Sequence, residues 1–171
     1  MPELYLLRHA KSDWSAPGQP DRERPLAQRG VRAAAAMRDH LDAAGVRPEV
    51  VFCSPAVRTR ETLELVIGGL GRPRVDFDRG LYGAGPDEIL DLLRTEVAAA
   101  EAAMVVGHNP TMAQLALWLA ADDGSGARMR VETKFPTGAL VTLAFEGEWA
   151  ELAPGSAELV AFTTPRDLGV Q

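Results

Sequence analysis

The chain has 171 residues, 46% of them hydrophobic and 25% charged, with a formal net charge of −6 and a single cysteine. That length suits one domain burying about 70% of its unfolded surface, so no disulfide or structural zinc is needed, and Cys53 alone cannot supply either. The acidic balance argues against coating nucleic acid or an anionic membrane, which both reward basic surfaces, and no run of 18 or more apolar residues could span a bilayer.

Strand-like and helix-like segments alternate along the chain. Residues 4–7, Leu-Tyr-Leu-Leu, read as a buried strand that ends at Arg8-His9. Residues 10–25 are polar and carry Pro17, Gly18 and Pro20; a loop this long in a compact domain is often functional. Over 27–44, Val31, Ala34, Met37, Leu41 and Ala44 recur at helical spacing, and Gly45 is a natural stop. Residues 49–53 form a second strand. Ser54-Pro55 then reads as an N-cap followed by proline at the first helical position, with Leu63, Val66 and Ile67 facing inward. A third strand is expected at 74–77. Gly85-Pro86-Asp87-Glu88 opens a helix whose acidic residues suit the positive end of its dipole, with Ile89, Leu92, Leu93 and Val97 on its apolar face.

Residues 103–107 make a fourth strand, and Asn109-Pro110 repeats the cap-then-proline start of a helix running to about Ala121. Residues 122–137 read as a polar connection. Three strand-like runs close the chain, at 139–145, 149–152 and 158–162, joined by Glu146-Gly147 and Pro154-Gly155 turns. The expected architecture is α/β: a single three-layer α/β/α domain over 1–171. Its mixed sheet is mostly parallel, with antiparallel C-terminal strands added at one edge.

In open α/β sheets, ligands gather beyond the carboxyl ends of the strands. Three such ends are chemically loaded here: Arg8-His9, then Ser54 with Arg58 one turn on, then His108-Asn109. If those strands are parallel neighbours, two of the chain's three histidines converge with two arginines. Guanidiniums are planar, permanently charged donors suited to phosphate. A histidine held in one tautomer by a backbone carbonyl can be a nucleophile, and neighbouring arginines keep it neutral. A second histidine can donate to developing phosphoryl charge. Each piece alone has a bland reading, Arg58 as a solvated helix residue and His108 as a strand terminus. His40 reads as an exposed helix residue, Arg60 and Glu61 as the solvated side of their helix, and Trp118 and Leu119 as core.

The stretch Leu-Leu-Arg-His-Ala-Lys-Ser-Asp-Trp at 6–14 resembles the signature of the histidine phosphatase superfamily, the phosphoglycerate-mutase-like proteins, and more closely the short SixA-type phosphohistidine phosphatases. Arg24-Pro25-Leu26, Arg29-Gly30, Ser54-Pro55-Ala56-Val57-Arg58 with Glu61-Thr62, Leu81-Tyr82 and Val106-Gly107-His108-Asn109-Pro110 follow in the family's order over nearly the whole chain. The resemblance implies that His9 is the nucleophile, that Arg8 and Arg58 clamp the phosphoryl group, and that His108 completes the pocket. It implies a phospho-His9 intermediate hydrolysed by water, with no metal and no cofactor.

The chain departs from the family pattern in two ways. It reads Arg-His-Ala where Arg-His-Gly is common, and it has no clear match to the glutamate acid of the larger members; Glu61, Asp13 and Asp87 are the nearest candidates. An alkoxide leaving group needs protonation more than an imidazole does, so the gap favours a phosphoramidate substrate such as phosphohistidine in proteins. The alternatives are a small-molecule phosphomonoesterase of the same fold and a non-catalytic phosphate-binding module. A cysteine phosphatase is excluded because Thr59, not arginine, stands six residues after Cys53, and no phosphate-binding GxxxxGK loop is present. The partner expected is a phosphorylated protein or small phosphorylated substrate, with no nucleic acid and no membrane, met by a monomer in the cytoplasm. The acidic exterior favours a basic partner protein.

Overall fold

The computed structural model describes residues 1–170. Strands β1 (Glu3–Arg8), β2 (Val50–Cys53) and β4 (Ala102–Gly107) are buried almost throughout. Continuous apolar runs are what parallel strands covered on both faces require. With β3 (Arg74–Phe77), β5 (Leu140–Phe145) and β6 (Ala157–Thr163) they form one six-stranded sheet in the order β3-β2-β4-β1-β5-β6. The first four strands run parallel, β5 is antiparallel to β1, and β6 is antiparallel to β5.

Alternation along the strands divides the core between two faces. Leu4, Leu6, Phe52 and Val105 point to one side, where α3 (Pro86–Glu96), α4 (Thr111–Leu119) and α5 (Gly126–Thr133) cover them. Tyr5, Leu7, Val51, Met104 and Val106 point to the other, beneath α1 (Gln28–Ala43) and α2 (Val57–Val66). The expected three-layer arrangement and the antiparallel C-terminal edge are both present. Among the described residues, no helix is long and apolar enough to cross a membrane.

Several local expectations differ from the structure. α2 begins at Val57, two residues after Pro55, so Ser54 is not its N-cap. The polar connection contains α5, which buries only Val131 and is capped by the Ser125 hydroxyl accepting from Arg128 N at 3.2 Å; so little apolar periodicity leaves a short helix unmarked. The 149–152 run is a 3₁₀ turn rather than a strand. Its Trp149 is buried against Phe145 at 4.9 Å, and its indole N–H donates to Ala100 O at 2.7 Å. Val31, at a helical-repeat position, and Trp118, expected in the core, are instead partly exposed at 42% and 39%.

Candidate active site

Strand register brings the two histidines together. Arg8 on β1 lies beside Gly107 on β4, so His9 and His108 leave neighbouring parallel strands at the same height. On the other side of β4, Cys53 pairs with Val106, which delivers Ser54 and, after the turn into α2, Arg58. His9 is clamped through its backbone: its N–H donates to Gly107 O at 3.0 Å, and its carbonyl accepts from Gly138 N at 2.8 Å. Gly138 has φ +78°, and a Cβ there would lie 3.0 Å from Pro165 Cγ, so both conformation and space call for glycine.

The long 10–25 loop closes over this end of the sheet. Ser12 bridges to Leu26, Asp13 N donates to Pro25 O at 2.8 Å, and Ala27 N donates to Lys11 O at 2.9 Å. Glu61 accepts from Leu26 N at 2.8 Å, so it anchors the loop rather than facing solvent.

The His9 ring is buried, at 6% exposure, and its Nδ1 lies 2.7 Å from Ala10 O. A carbonyl only accepts, so Nδ1 carries the proton and Nε2 keeps its lone pair. Burial, followed by the charge of His108, Arg58 and Arg8, lowers its pKa to about 3, against a partial rise from the Ala10 hydrogen bond. The ring is therefore neutral near pH 7. His108 sits 5.4 Å away between ring centroids. Its pKa is lowered to about 4, first by burial and then by Arg58. Arg58 Nη2 approaches His108 Nδ1 at 3.4 Å and only donates, which leaves the His108 proton on Nε2, 2.7 Å from the Ser54 hydroxyl.

Both guanidiniums are tethered with donors to spare. Arg8 Nη1 donates to Phe135 O at 2.8 Å. Arg58 donates to Asp21 O at 2.8 Å and to Asp21 Oδ2 at 3.0 Å. Arg8 Nε and Arg58 Nε are buried with no protein acceptor. An unsatisfied buried donor costs about 1–3 kcal/mol, more when charged, and an oxyanion is the acceptor that a guanidinium N–H binds most strongly. Burial, then Arg58, pulls the Arg8 pKa below its ordinary value, as expected for two cations held close.

Asp21, which sequence reasoning did not single out, is the carboxylate nearest this chemistry. It accepts from Arg58, from Arg24 Nε at 3.2 Å and from the Tyr82 hydroxyl. Those donors, Tyr82 foremost, hold its pKa below the usual carboxylate range. Tyr82 in turn meets the His108 ring edge-on at 5.6 Å. Asp21 lies in a 3₁₀ turn inside the loop, where no periodicity could flag it; the length of the loop was the only signal. Of the candidate acids, Glu61 is engaged by Leu26, Asp13 by its own Ser15 at 2.8 Å, and Asp87 is exposed in the first turn of α3. His40 is in the last turn of α1, half-buried and away from the pocket. Among the described residues, no group of three or more His, Cys, Asp or Glu is arranged to hold a metal ion.

Parallel strand ends bring two histidines and two guanidiniums together on a phosphoglycerate-mutase-like fold. Residues 4–103 match the model of the histidine phosphatase superfamily (branch 1). The chain belongs to that superfamily, and with it to the phosphatase hydrolases. An uncharacterised protein of Mycobacterium tuberculosis (strain H37Rv) is 38% identical over 162 residues, spanning 94% of this chain and 100% of the relative. Among solved structures, a Nakamurella multipartitia protein provisionally named phosphohistidine phosphatase SixA superposes with TM-score 0.85 at 37% identity over 96% of both chains. An Agrobacterium tumefaciens protein of the same provisional name has TM-score 0.82 at 28% identity, over 96% of this chain and 99% of that one.

Proposed function

We propose that the chain removes phosphoryl groups from phosphohistidine in proteins, through a phosphoryl group carried on His9 and without a metal ion. The observation that carries this reading is the His9 ring: protonated at Nδ1 by its bond to Ala10 O, neutral through burial, with Nε2 free beside two guanidiniums. The Nε2 lone pair attacks phosphorus, and the substrate P–N bond breaks. If the substrate ring carries a proton on its other nitrogen, it leaves as neutral imidazole, and the positive charge passes to the His9 ring with the phosphoryl group. Charge is conserved, and the acceptor is chemically the same group as the donor. Water then attacks phosphorus; the P–Nε2 bond breaks, its electron pair returns to His9, and dihydrogen phosphate leaves.

Arg8 and Arg58 would hold the equatorial oxygens through positioning and charge, the main demands of phosphoryl transfer. The nearest carboxylate, Asp21, is kept ionised by its donors and is a poor acid. An alkoxide leaving group is thereby disfavoured relative to imidazole. His108 donates its Nε2 proton to the Ser54 hydroxyl in the resting arrangement. A hydroxyl both donates and accepts, so rotation of Ser54 permits the tautomer that offers Nδ1–H to the phosphoryl group. The names carried by the two structural relatives support the same substrate class.

The test is a substrate panel of phosphohistidine protein, phosphoserine and phosphotyrosine peptides, and sugar phosphates, compared by kcat/KM. Phosphohistidine is expected to lead. A lead for sugar phosphates would establish a small-molecule phosphomonoesterase instead.

A further inference from the structure

We propose that the groove beside Arg8 seats an acidic stretch of the phosphorylated substrate protein, an inference that rests on the phosphohistidine-protein reading above. The groove encloses about 1170 Å³, larger than the roughly 300–1,000 Å³ of a small-ligand pocket. Arg8 at the end of β1, Lys11 in the following loop, Arg29 at the start of α1, Arg130 in α5, Lys134 just beyond it and Arg166 in the C-terminal turn all line it. Both lysines of the chain are in this set, in a protein of net charge −6. Among the described residues, none that lines the groove is acidic, and of the six cations only Arg130 has a carboxylate partner within ion-pair distance, Asp167 at 2.6 Å. Lys11, Arg29, Lys134 and Arg166 are exposed.

Like charges gathered in a cleft repel one another and focus positive potential, and an anionic partner relieves both. The concavity at the opposite end of the sheet is different. Glu3, Glu49 and Glu101 are interspersed there with Arg47 and Arg94, so no single-sign field builds up. The cationic groove is also tied to the phosphoryl site. Lys134 precedes Phe135, whose carbonyl accepts from Arg8. The Lys11 backbone is pressed against Gly30, where a Cβ would lie 2.2 Å from Lys11 O. Anionic side chains flanking a phosphohistidine would thus meet lysines carried on the same backbone that shapes the clamp. The overall acidic charge favours a basic partner at long range, and the groove reverses that preference beside the reacting residue.

The experiment compares two phosphohistidine peptides identical except that one has Asp and Glu where the other has Ser beside the phosphorylated residue. The acidic peptide is expected to show a kcat/KM about ten-fold or more higher at low salt. The ratio should fall toward one in about 1 M salt, where the Debye length is about 3 Å. It should also fall in the double variant K11Q/K134Q and persist in R47Q, at the opposite end of the sheet. Equal kcat/KM for the two peptides, or a ratio unmoved in K11Q/K134Q, overturns the groove proposal and leaves the phosphatase reading standing. Discrimination among small bisphosphates without discrimination between peptides overturns it as well. Failure to dephosphorylate either peptide, with sugar phosphates turned over, overturns the phosphohistidine reading and the groove proposal with it.

Discussion

His9 and His108 face one another across the ends of two adjacent parallel strands, ring centroids 5.4 Å apart and planes inclined at 56°. Two cationic imidazoles could not share that space with Arg8 and Arg58 without severe repulsion, and burial disfavours charge on either ring. Both are neutral at physiological pH, and their hydrogen bonds give them opposite tautomers: His9 protonated at Nδ1 toward Ala10, His108 at Nε2 toward Ser54. One ring is left as a lone-pair donor and the other as an adjustable hydrogen-bond partner.

His9→Ala is expected to lower hydrolysis of a generic aryl phosphate by about 10³-fold or more, while circular dichroism shows that the protein stays folded. Acid-quenched wild type incubated with labelled substrate should carry an acid-labile, base-stable phosphoryl label. Retained turnover, or a label with the stability of phosphoserine, would remove His9 from its role.

The pH profile follows from the direction of the histidine shifts. kcat/KM reports the free enzyme, and with the His9 pKa lowered to about 3 its ring stays unprotonated well below the ordinary histidine range. After correction for substrate ionisation, kcat/KM should be flat from about pH 7 to about pH 5, where an ordinary histidine near 6.5 would lose most of its activity. Stability behaves differently. The unfolded histidines accept protons below about 6.5, and the folded ones resist to about 3 for His9 and about 4 for His108. The unfolded state therefore binds more protons in that window, and stability falls as pH falls. A urea midpoint lower at pH 5 than at pH 7 is the expected result.

Ser54→Ala removes the partner of His108 Nε2. Leaving a buried group unsatisfied costs about 1–3 kcal/mol, and kcat is expected to fall about ten-fold. The readout specific to a positioning role is the His108 tautomer by nitrogen NMR, which should change in the variant. An unchanged tautomer with unchanged kcat would reduce Ser54 to a packing residue.

Asp21→Ala unties Arg58 on one side. The inhibition constant of inorganic phosphate is expected to rise about five-fold, near 1 kcal/mol, the scale of one net hydrogen bond, with a smaller change in kcat. Tighter phosphate binding in the variant would mean that Asp21 competes with the ligand rather than orienting its clamp.

Gly30→Ala would drive a methyl group into Lys11 O at 2.2 Å, and neither backbone can yield cheaply. Destabilisation of about 1–3 kcal/mol by overpacking is expected, measured by denaturant unfolding. Activity should fall with it, since Lys11 follows the His9-Ala10 turn.

Much of the site was legible because its residues stand where apolar strand runs stop. Arg8-His9, Ser54 and Gly107-His108 each follow a continuous buried strand, and the change from apolar to polar marks the sheet edge where ligands collect. The illegible parts depend on contacts distant in sequence. Ser54 carries a cap-like pattern, yet its hydroxyl is committed to a histidine 54 residues away. Asp21 reaches Arg58 across 37 residues and Tyr82 across 61. α5 lacks an apolar stripe because it buries one residue.

By itself the amino-acid sequence determined the α/β architecture and pointed to three strand ends carrying His9, Arg8, Arg58 and His108, which the fold brings together, since periodicity and strand-end polarity are local properties of the chain. Tertiary structure decided which carboxylate attends the arginines, which nitrogen of each histidine holds the proton, and that six of the 18 basic residues of an acidic protein line one groove beside Arg8. Those properties arise from distances between segments far apart in the chain. Electrostatics and hydrogen bonding act through space, and only the folded register of β1 against β4 and β2 sets that space.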